Sequence, residues 1–242
     1  MSSIICLSGK KRSGKNTAAN YIAGAYLLRT QQIVDFSIDT NGLLHIRMID
    51  SSPWITVNEN EFSSFDFKHI KFYSFADPLK IFCMDVFGLT YEQCYGTEKQ
   101  KNSLTNIQYK NLPQSHQSDL ESTPECNEYL TARRVLQYFG TDVVRRMCAD
   151  AWVNATISKI KRDNPKVAII TDARFPNEII GIGQIGGKTI RLSRDVCEND
   201  PHASEKALDD FPLDQYSHIV DNQNVNVGEQ NRLIQELLKE LI

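Results

Sequence analysis

The sequence predicts an α/β fold, a central parallel sheet flanked by helices. Three observations predict it. Short apolar runs at 4–8, 70–75, 167–171, 188–192 and 218–220 alternate with longer helical patterns, and strands separated by helices pair in parallel with helices on both faces. The first run passes through a glycine-rich turn directly into helix-forming residues. The chain ends in an amphipathic helix over 229–242, with Leu233, Leu237, Leu238 and Leu241 on one face.

In chain order, Ile4 to Ser8 is the first strand, and the stretch after Lys15 is a helix with Ala18, Ile22 and Ala25 in its apolar positions. Residues 33–49 alternate apolar and polar side chains on either side of Asp39-Thr40-Asn41-Gly42, a hairpin turn signal. We therefore expect 33–68 to be a β-rich insertion outside the main sheet. After a strand at Ile70–Phe75, Asp77 is placed to cap a helix whose first turn tolerates Pro78, ending near Gly88. Residues 97–128 are polar, with little periodicity, and are expected to be a mobile, lid-like surface segment. From Thr131 to about Ile160 the pattern is helical, with an expected break at Gly140-Thr141-Asp142 and Asp142 capping the second part. Strands at Val167–Thr171, Lys188–Leu192 and His218–Val220 follow, the first ending at Asp172.

Length and composition limit the function classes. A chain of 242 residues with 41% hydrophobic content supports one sizeable core, so we expect a single domain, 1–242, carrying the two insertions. The balance of 27 basic and 30 acidic residues, a net charge of -3, lacks the basic excess that binding to a nucleic-acid polymer leaves. No apolar run is long enough to span a bilayer, and the first residues lack the pattern of a signal peptide. A cytoplasmic protein is expected, with no membrane partner. Six scattered cysteines without a C-x-x-C pair signal neither a zinc site nor a disulfide framework.

The chemistry begins at Gly9-Lys10-Lys11-Arg12-Ser13-Gly14-Lys15, which matches G-x-x-x-x-G-K between an expected strand and an expected helix. A lysine-rich surface turn would satisfy the same letters, but the strand before and the helix after are the context of a phosphate-binding loop. There the backbone N–H groups of Gly9, Lys11, Arg12, Ser13 and Gly14 cradle phosphates, and Lys15 reaches the β and γ oxygens. Asn16 departs from the pattern, standing where Ser or Thr normally holds Mg²⁺; Thr17 comes one residue late and is expected to face the α-phosphate. Asp172 closes an apolar strand, where open α/β sheets bind ligands, so it is a candidate to organise Mg²⁺ from the side opposite Asn16, with Arg174 facing a phosphate. An ordinary helix cap is the alternative for Asp172.

Three further segments carry a resemblance: Phe75-Ala76-Asp77-Pro78-Leu79-Lys80, the run from Arg133-Arg134-Val135-Leu136-Gln137 to Gly140-Thr141-Asp142, and Asp172-Ala173-Arg174-Phe175-Pro176-Asn177-Glu178. With Lys11–Lys15 and the later His202-Ala203-Ser204-Glu205, they resemble motifs of bacteriophage deoxynucleoside monophosphate kinases, in the family's order. The insertions 33–68 and 97–128 match no motif of that family. The resemblance implies a P-loop kinase with ATP and Mg²⁺ as cosubstrates and a deoxynucleoside monophosphate as acceptor, acting in the host cytoplasm if phage-encoded. It implies Lys15, Arg12 and Asp172 as catalytic residues. It also implies Asp77, Leu79, Lys80, Arg133, Gln137, Gly140, Thr141, Trp152, Asp172, Arg174 and Glu178 as the acceptor site. Each keeps a structural alternative: a solvated Arg133, a core Trp152, a surface-paired Glu178. A kinase for another small phosphorylated metabolite and a nucleotide-dependent binding module are the competing functions. Base preference is not legible, and formation of a homodimer stays open.

Overall fold

A computed structural model describes residues 2–49, 53–57, 62, 65, 67–112, 129–195 and 206–242. Residues 113–128 of the lid expected over 97–128 and the His202–Glu205 segment lie outside the described residues, as do parts of the 33–68 insertion. In chain order the elements are β1 Ser3–Ser8, α1 Lys15–Arg29, β2 Asp35–Ile38, β3 Leu44–Arg47, β4 Ile55–Val57, β5 Ile70–Tyr73, α2 Asp77–Phe87, α3 Tyr91–Tyr95, α4 Glu98–Lys101, β6 Leu104–Gln108 and β7 Tyr129–Thr131. Then come α5 Ala132–Gln137, α6 Ala151–Asp163, β8 Val167–Ala173, α7 Pro176–Gln184, β9 Lys188–Leu192, β10 His218–Val220 and α8 Val227–Leu241. The chain forms two compact units, residues 1–75 with 153–242, and residues 76–152.

The first unit holds a five-stranded sheet of order β10-β9-β1-β8-β5, parallel throughout. Its central strands β1 and β8 are buried on both faces, which is why they read as continuous apolar runs. Alternation within β1 and β8 divides the side chains between two cores. Ile5, Leu7 and Ile169 join Ala18, Ile22, Leu27, Ile234 and Leu241 from α1 and α8 on one side. Cys6, Ala168 and Ile170 join Val153, Ile160, Ile179 and Ile182 from α6 and α7 on the other. Each fully buried Leu or Ile among them contributes about 1.5–3 kcal/mol relative to exposure.

The insertion is a separate antiparallel sheet, β2-β3-β4, as the alternation in 33–49 predicts. Its buried residues Leu44, Ile46 and Val57 extend the core of α1. At its turn Gly42 has φ 82°, a left-handed conformation suited to glycine, and the Gly42 carbonyl accepts from Asn20 Nδ2 of α1 at 2.9 Å.

In the second unit α2 stops at Gly88 in the left-handed conformation, the usual glycine termination. Its start differs from expectation. Ala76 is the N-cap and Asp77 the first helical residue, so the Asp77 carboxylate faces the positive end of the helix and accepts from Tyr95 Oη at 3.1 Å. Residues 97–112 are also more regular than expected, for two reasons. Thr97 and Gln100 cap α4 reciprocally, and β6 pairs antiparallel with β7. The break expected at Gly140 is absent. Thr131 caps α5, which continues in π-helical turns over Tyr138–Arg145, leaving Asp142 inside the helix. The wider turns leave the Gly140 carbonyl to accept from Trp152 Nε1 at 3.0 Å. A Cβ on Gly140 would stand 2.5 Å from Leu79 Cδ2, so glycine here serves close packing of α2 rather than helix termination.

Candidate active site

Register sets the position of the first group of candidates. Ser8, the last residue of β1, pairs with Ala173 of β8 on one side and Arg191 of β9 on the other. Chain leaving β1 therefore turns at the carboxyl edge of the sheet, beside Asp172 and Arg174, where open parallel sheets bind ligands.

Residues 9–14 form a tight loop. Gly9 has φ 143° and Gly14 φ 93°, and a Cβ on Gly9 would stand 2.8 Å from the Leu192 carbonyl oxygen. Only glycine fits there without moving backbone. Arg12 adopts φ 62°, uncommon for a residue with a side chain, and is exposed. The Ser13 N–H donates to the Lys10 carbonyl at 3.1 Å and the Ala18 N–H to the Gly14 carbonyl at 3.0 Å. Gly14 stands at the N-cap of α1 and has no side chain to cap it, so α1 directs its first N–H groups into the loop, the arrangement that receives anions. Lys15 is 8% exposed and its Nζ donates to the Gly9 carbonyl at 2.8 Å and the Lys10 carbonyl at 2.7 Å. These bonds hold an ammonium over its own loop.

Asn16 is exposed in the first turn of α1. Thr17 lies against the hairpin: a Cβ on Gly42 would stand 2.0 Å from Thr17 Oγ1. Across the sheet edge, the Asp172 carboxylate accepts from Ser74 Oγ at 2.5 Å and from the Phe75 N–H at 2.8 Å, tying the end of β8 to the end of β5. Beneath it the Cys6 thiol is pushed well up by burial and by the neighbouring Glu178 and Asp172 carboxylates, so this cysteine stays protonated and inert.

Glu178 is 1% exposed. Its carboxylate accepts from the backbone N–H of Arg174 at 2.7 Å and of Phe175 at 3.0 Å. It thus builds the turn that carries Arg174 into α7, and the surface pair offered as its alternative role does not apply.

The remaining candidates belong to the second unit. Arg133 pairs with Glu98 at 2.7 Å and donates to Asn102 at 3.1 Å, so it is held rather than freely solvated. Lys80 Nζ sits over the Tyr95 ring, 4.2 Å from its centroid. Gln137 and Thr141 are half-buried, while Leu79 packs against Gly140. Trp152, 9% exposed, spends its indole N–H on Gly140.

Two polar residues that the sequence did not single out, Asn222 and Gln230, reach the phosphate-type loop. Asn222 is fully buried and Gln230 1% exposed. Asn222 Nδ2 donates to the Ser13 carbonyl and to Gln230 Oε1, both at 2.7 Å, and Gln230 Nε2 donates to the Gly14 carbonyl at 3.1 Å.

A family model described as deoxynucleotide monophosphate kinase matches residues 3–227. The chain belongs to the deoxynucleotide monophosphate kinase family. Among relatives, a protein of Acanthamoeba polyphaga mimivirus whose name places it with the deoxynucleotide monophosphate kinases is 31% identical over 153 residues, covering 56% of this chain and 67% of that one. A deoxynucleoside-5'-monophosphate kinase of Escherichia phage T5 is 35% identical over 68 residues, 28% of this chain and 26% of that one. The family match spans both units and the loop at 9–15, and the resemblance to phage kinases in the sequence motifs agrees with it.

Proposed function

We propose that this deoxynucleotide monophosphate kinase moves the γ-phosphoryl group of ATP to the phosphate of a deoxynucleoside monophosphate, giving the diphosphate and ADP. The observation that carries the reading is the loop at 9–15, whose glycines, uncapped α1 N-terminus and buried Lys15 make an anion cradle in a chain of this family. Phosphoryl transfer needs alignment and charge neutralisation more than covalent help. Backbone N–H groups of the loop hold the phosphates, and Lys15 exchanges its carbonyl partners for phosphate oxygens. Exposed Arg12 adds a second cation. The acceptor oxygen attacks the γ-phosphorus as the bond to the β–γ bridging oxygen breaks.

Asn16 and Asp172 offer an amide and a carboxylate oxygen, hard donors of the kind Mg²⁺ accepts, and we assign them to that ion. When bound, it neutralises charge shared by the β- and γ-phosphates. In the second unit Lys80, Arg133, Gln137 and Thr141 remain proposed acceptor contacts, with Asp77, Leu79 and Gly140 shaping their helices; in the first unit Arg174 is proposed to face a phosphate. We assign Trp152 to support, because its indole N–H is spent on the Gly140 carbonyl, and give Glu178 a turn-building part through Oε2, which accepts from the Arg174 and Phe175 N–H groups. Partners are small nucleotides, and the net charge of -3 argues against a nucleic-acid polymer. Among the described residues no helix is long and apolar enough to cross a membrane; we assign the activity to the cytoplasm, where the ATP it consumes is held.

The test is a panel of deoxynucleoside and ribonucleoside monophosphates with ATP and Mg²⁺, scored for diphosphate. Acceptor-dependent ADP formation with at least one deoxynucleotide is expected. ADP released equally without an acceptor, or no product with any, refutes the proposal.

A further inference from the structure

The loop's carbonyls carry information that the motif does not. Peptide planarity sets the C=O and N–H of a trans unit on opposite edges. Anchoring the Ser13 carbonyl therefore fixes the direction of the Gly14 N–H, and anchoring the Gly14 carbonyl fixes that of Lys15. The anchors are side chains distant in sequence: Asn222 holds Ser13 and Gln230 of α8 holds Gly14. The two amides also bind each other. Asn222 is fixed in turn, its Oδ1 accepting from the Arg194 N–H at 2.9 Å and its carbonyl accepting from Arg194 Nε at 3.0 Å.

A buried amide unable to make its bonds would be costly, and these meet their partners through the loop itself. The fit is close: a Cβ on Gly14 would stand 2.4 Å from Gln230 Oε1. We propose that Asn222 and Gln230 are positioning residues of the phosphate cradle, a buried amide clamp that turns the Gly14 and Lys15 N–H groups toward the polyphosphate of a nucleoside triphosphate. This rests on the cradle reading given above. The clamp makes triphosphate affinity depend on the seat of the C-terminal helix, which touches no phosphate in this scheme.

The experiment uses the full chain and inorganic tripolyphosphate as probe, followed by calorimetry. Gln230→Met keeps the side chain's shape and removes both polar groups. Tripolyphosphate binding is expected to weaken about tenfold, and KM for ATP to rise in parallel, while KM for the deoxynucleotide acceptor is unchanged. A residue that serves only stability would lower the melting temperature and leave both affinities alone. Lys15→Ala separates the two levels of the argument. If wild type binds tripolyphosphate, Lys15→Ala loses it, and folded Gln230→Met binds as wild type does, the clamp is overturned and the cradle stands. If wild type does not bind the probe, the cradle falls and the clamp falls with it. Should Gln230→Met not fold, the wild-type chain decides: the side-chain amide resonances of Asn222 and Gln230 shift on saturation with tripolyphosphate, and resonances that stay in place overturn the proposal.

Discussion

Gly42→Ala tests whether the β-hairpin insertion is part of the nucleotide-binding unit or an appendage. A methyl group at this position meets two costs. The φ of 82° is left-handed, and holding an alanine there costs about 1–2 kcal/mol. The new Cβ would stand 2.0 Å from Thr17 Oγ1 and 3.0 Å from Thr17 Cβ, so either Thr17 leaves its rotamer or the hairpin lifts from α1, at about 1–3 kcal/mol. Reduced freedom of the unfolded chain returns about 0.4–1 kcal/mol. The net is about 1–4.6 kcal/mol, or a fall in melting temperature of about 2–18 °C for a chain of this size. Gly186→Ala is the control, since Gly186 has φ 77° with nothing within 4 Å of its built Cβ and suffers only the backbone cost. Differential scanning fluorimetry compares the two, and Gly42→Ala with Thr17→Ala should recover the contact part of the loss. Equal melting temperatures for Gly42→Ala and Gly186→Ala would refute the claim that the hairpin turn bears on the phosphate-loop helix.

The other expectations concern the site and the turn. Lys15→Ala should fold, with unchanged circular dichroism, and lose about two or more orders of magnitude in kcat; near-normal diphosphate formation would sink the cradle. Asn16→Ala should raise the Mg²⁺ concentration for half-maximal rate at saturating nucleotide, and an unchanged Mg²⁺ dependence would mean that position 16 only starts the helix. Asp39 is held below its ordinary value, first by the Leu43 N–H and also by His45 and Asn41. A depressed folded-state value stabilises the fold above the unfolded value, and that stabilisation disappears as pH falls through the folded one. Asp39→Asn should therefore lower the urea midpoint at neutral pH, with the gap to wild type closing below the carboxylate range. A gap that persists in acid would mean that its charge plays no part.

Most of the sheet was legible because its central parallel strands β1 and β8, buried on both faces, leave apolar runs, and β9 and β10 also fall where short apolar runs lie. The hairpin was legible for the complementary reason, one buried and one exposed face. Errors fell where polar residues have two uses with the same local signature. Asp77 beside Pro78 reads as an N-cap, yet an aspartate one position later gains from the helix dipole just as well. Gly140 reads as a helix breaker, whereas the fold uses its missing side chain to admit Leu79. The segment after Tyr95 looked irregular because helices of one turn are too short to show a period, although Thr90 with Gln93 and Thr97 with Gln100 are capping boxes visible in the letters.

For the site, the difference between legible and illegible is the difference between local and non-local geometry. G-x-x-x-x-G-K is local, since strand, loop and helix are contiguous and the glycines answer constraints set within a few residues. Asn222 and Gln230 act on the same loop, but only because β9 lies between β1 and β10 and because α8 packs on the core of α1, facts of strand order that no window of sequence contains. In the letters, Asn222 is one of several residues in a polar turn and Gln230 a polar position in the first turn of an amphipathic helix. Glu178 makes the converse point. A glutamate four residues after Arg174 fits a ligand contact and a turn-building cap equally well in sequence. Burial to 1% with two backbone N–H donors on Oε2 supports the turn-building reading: Asp172 stands at the sheet edge, tied to Ser74 and Phe75, and Glu178 holds the backbone that presents Arg174.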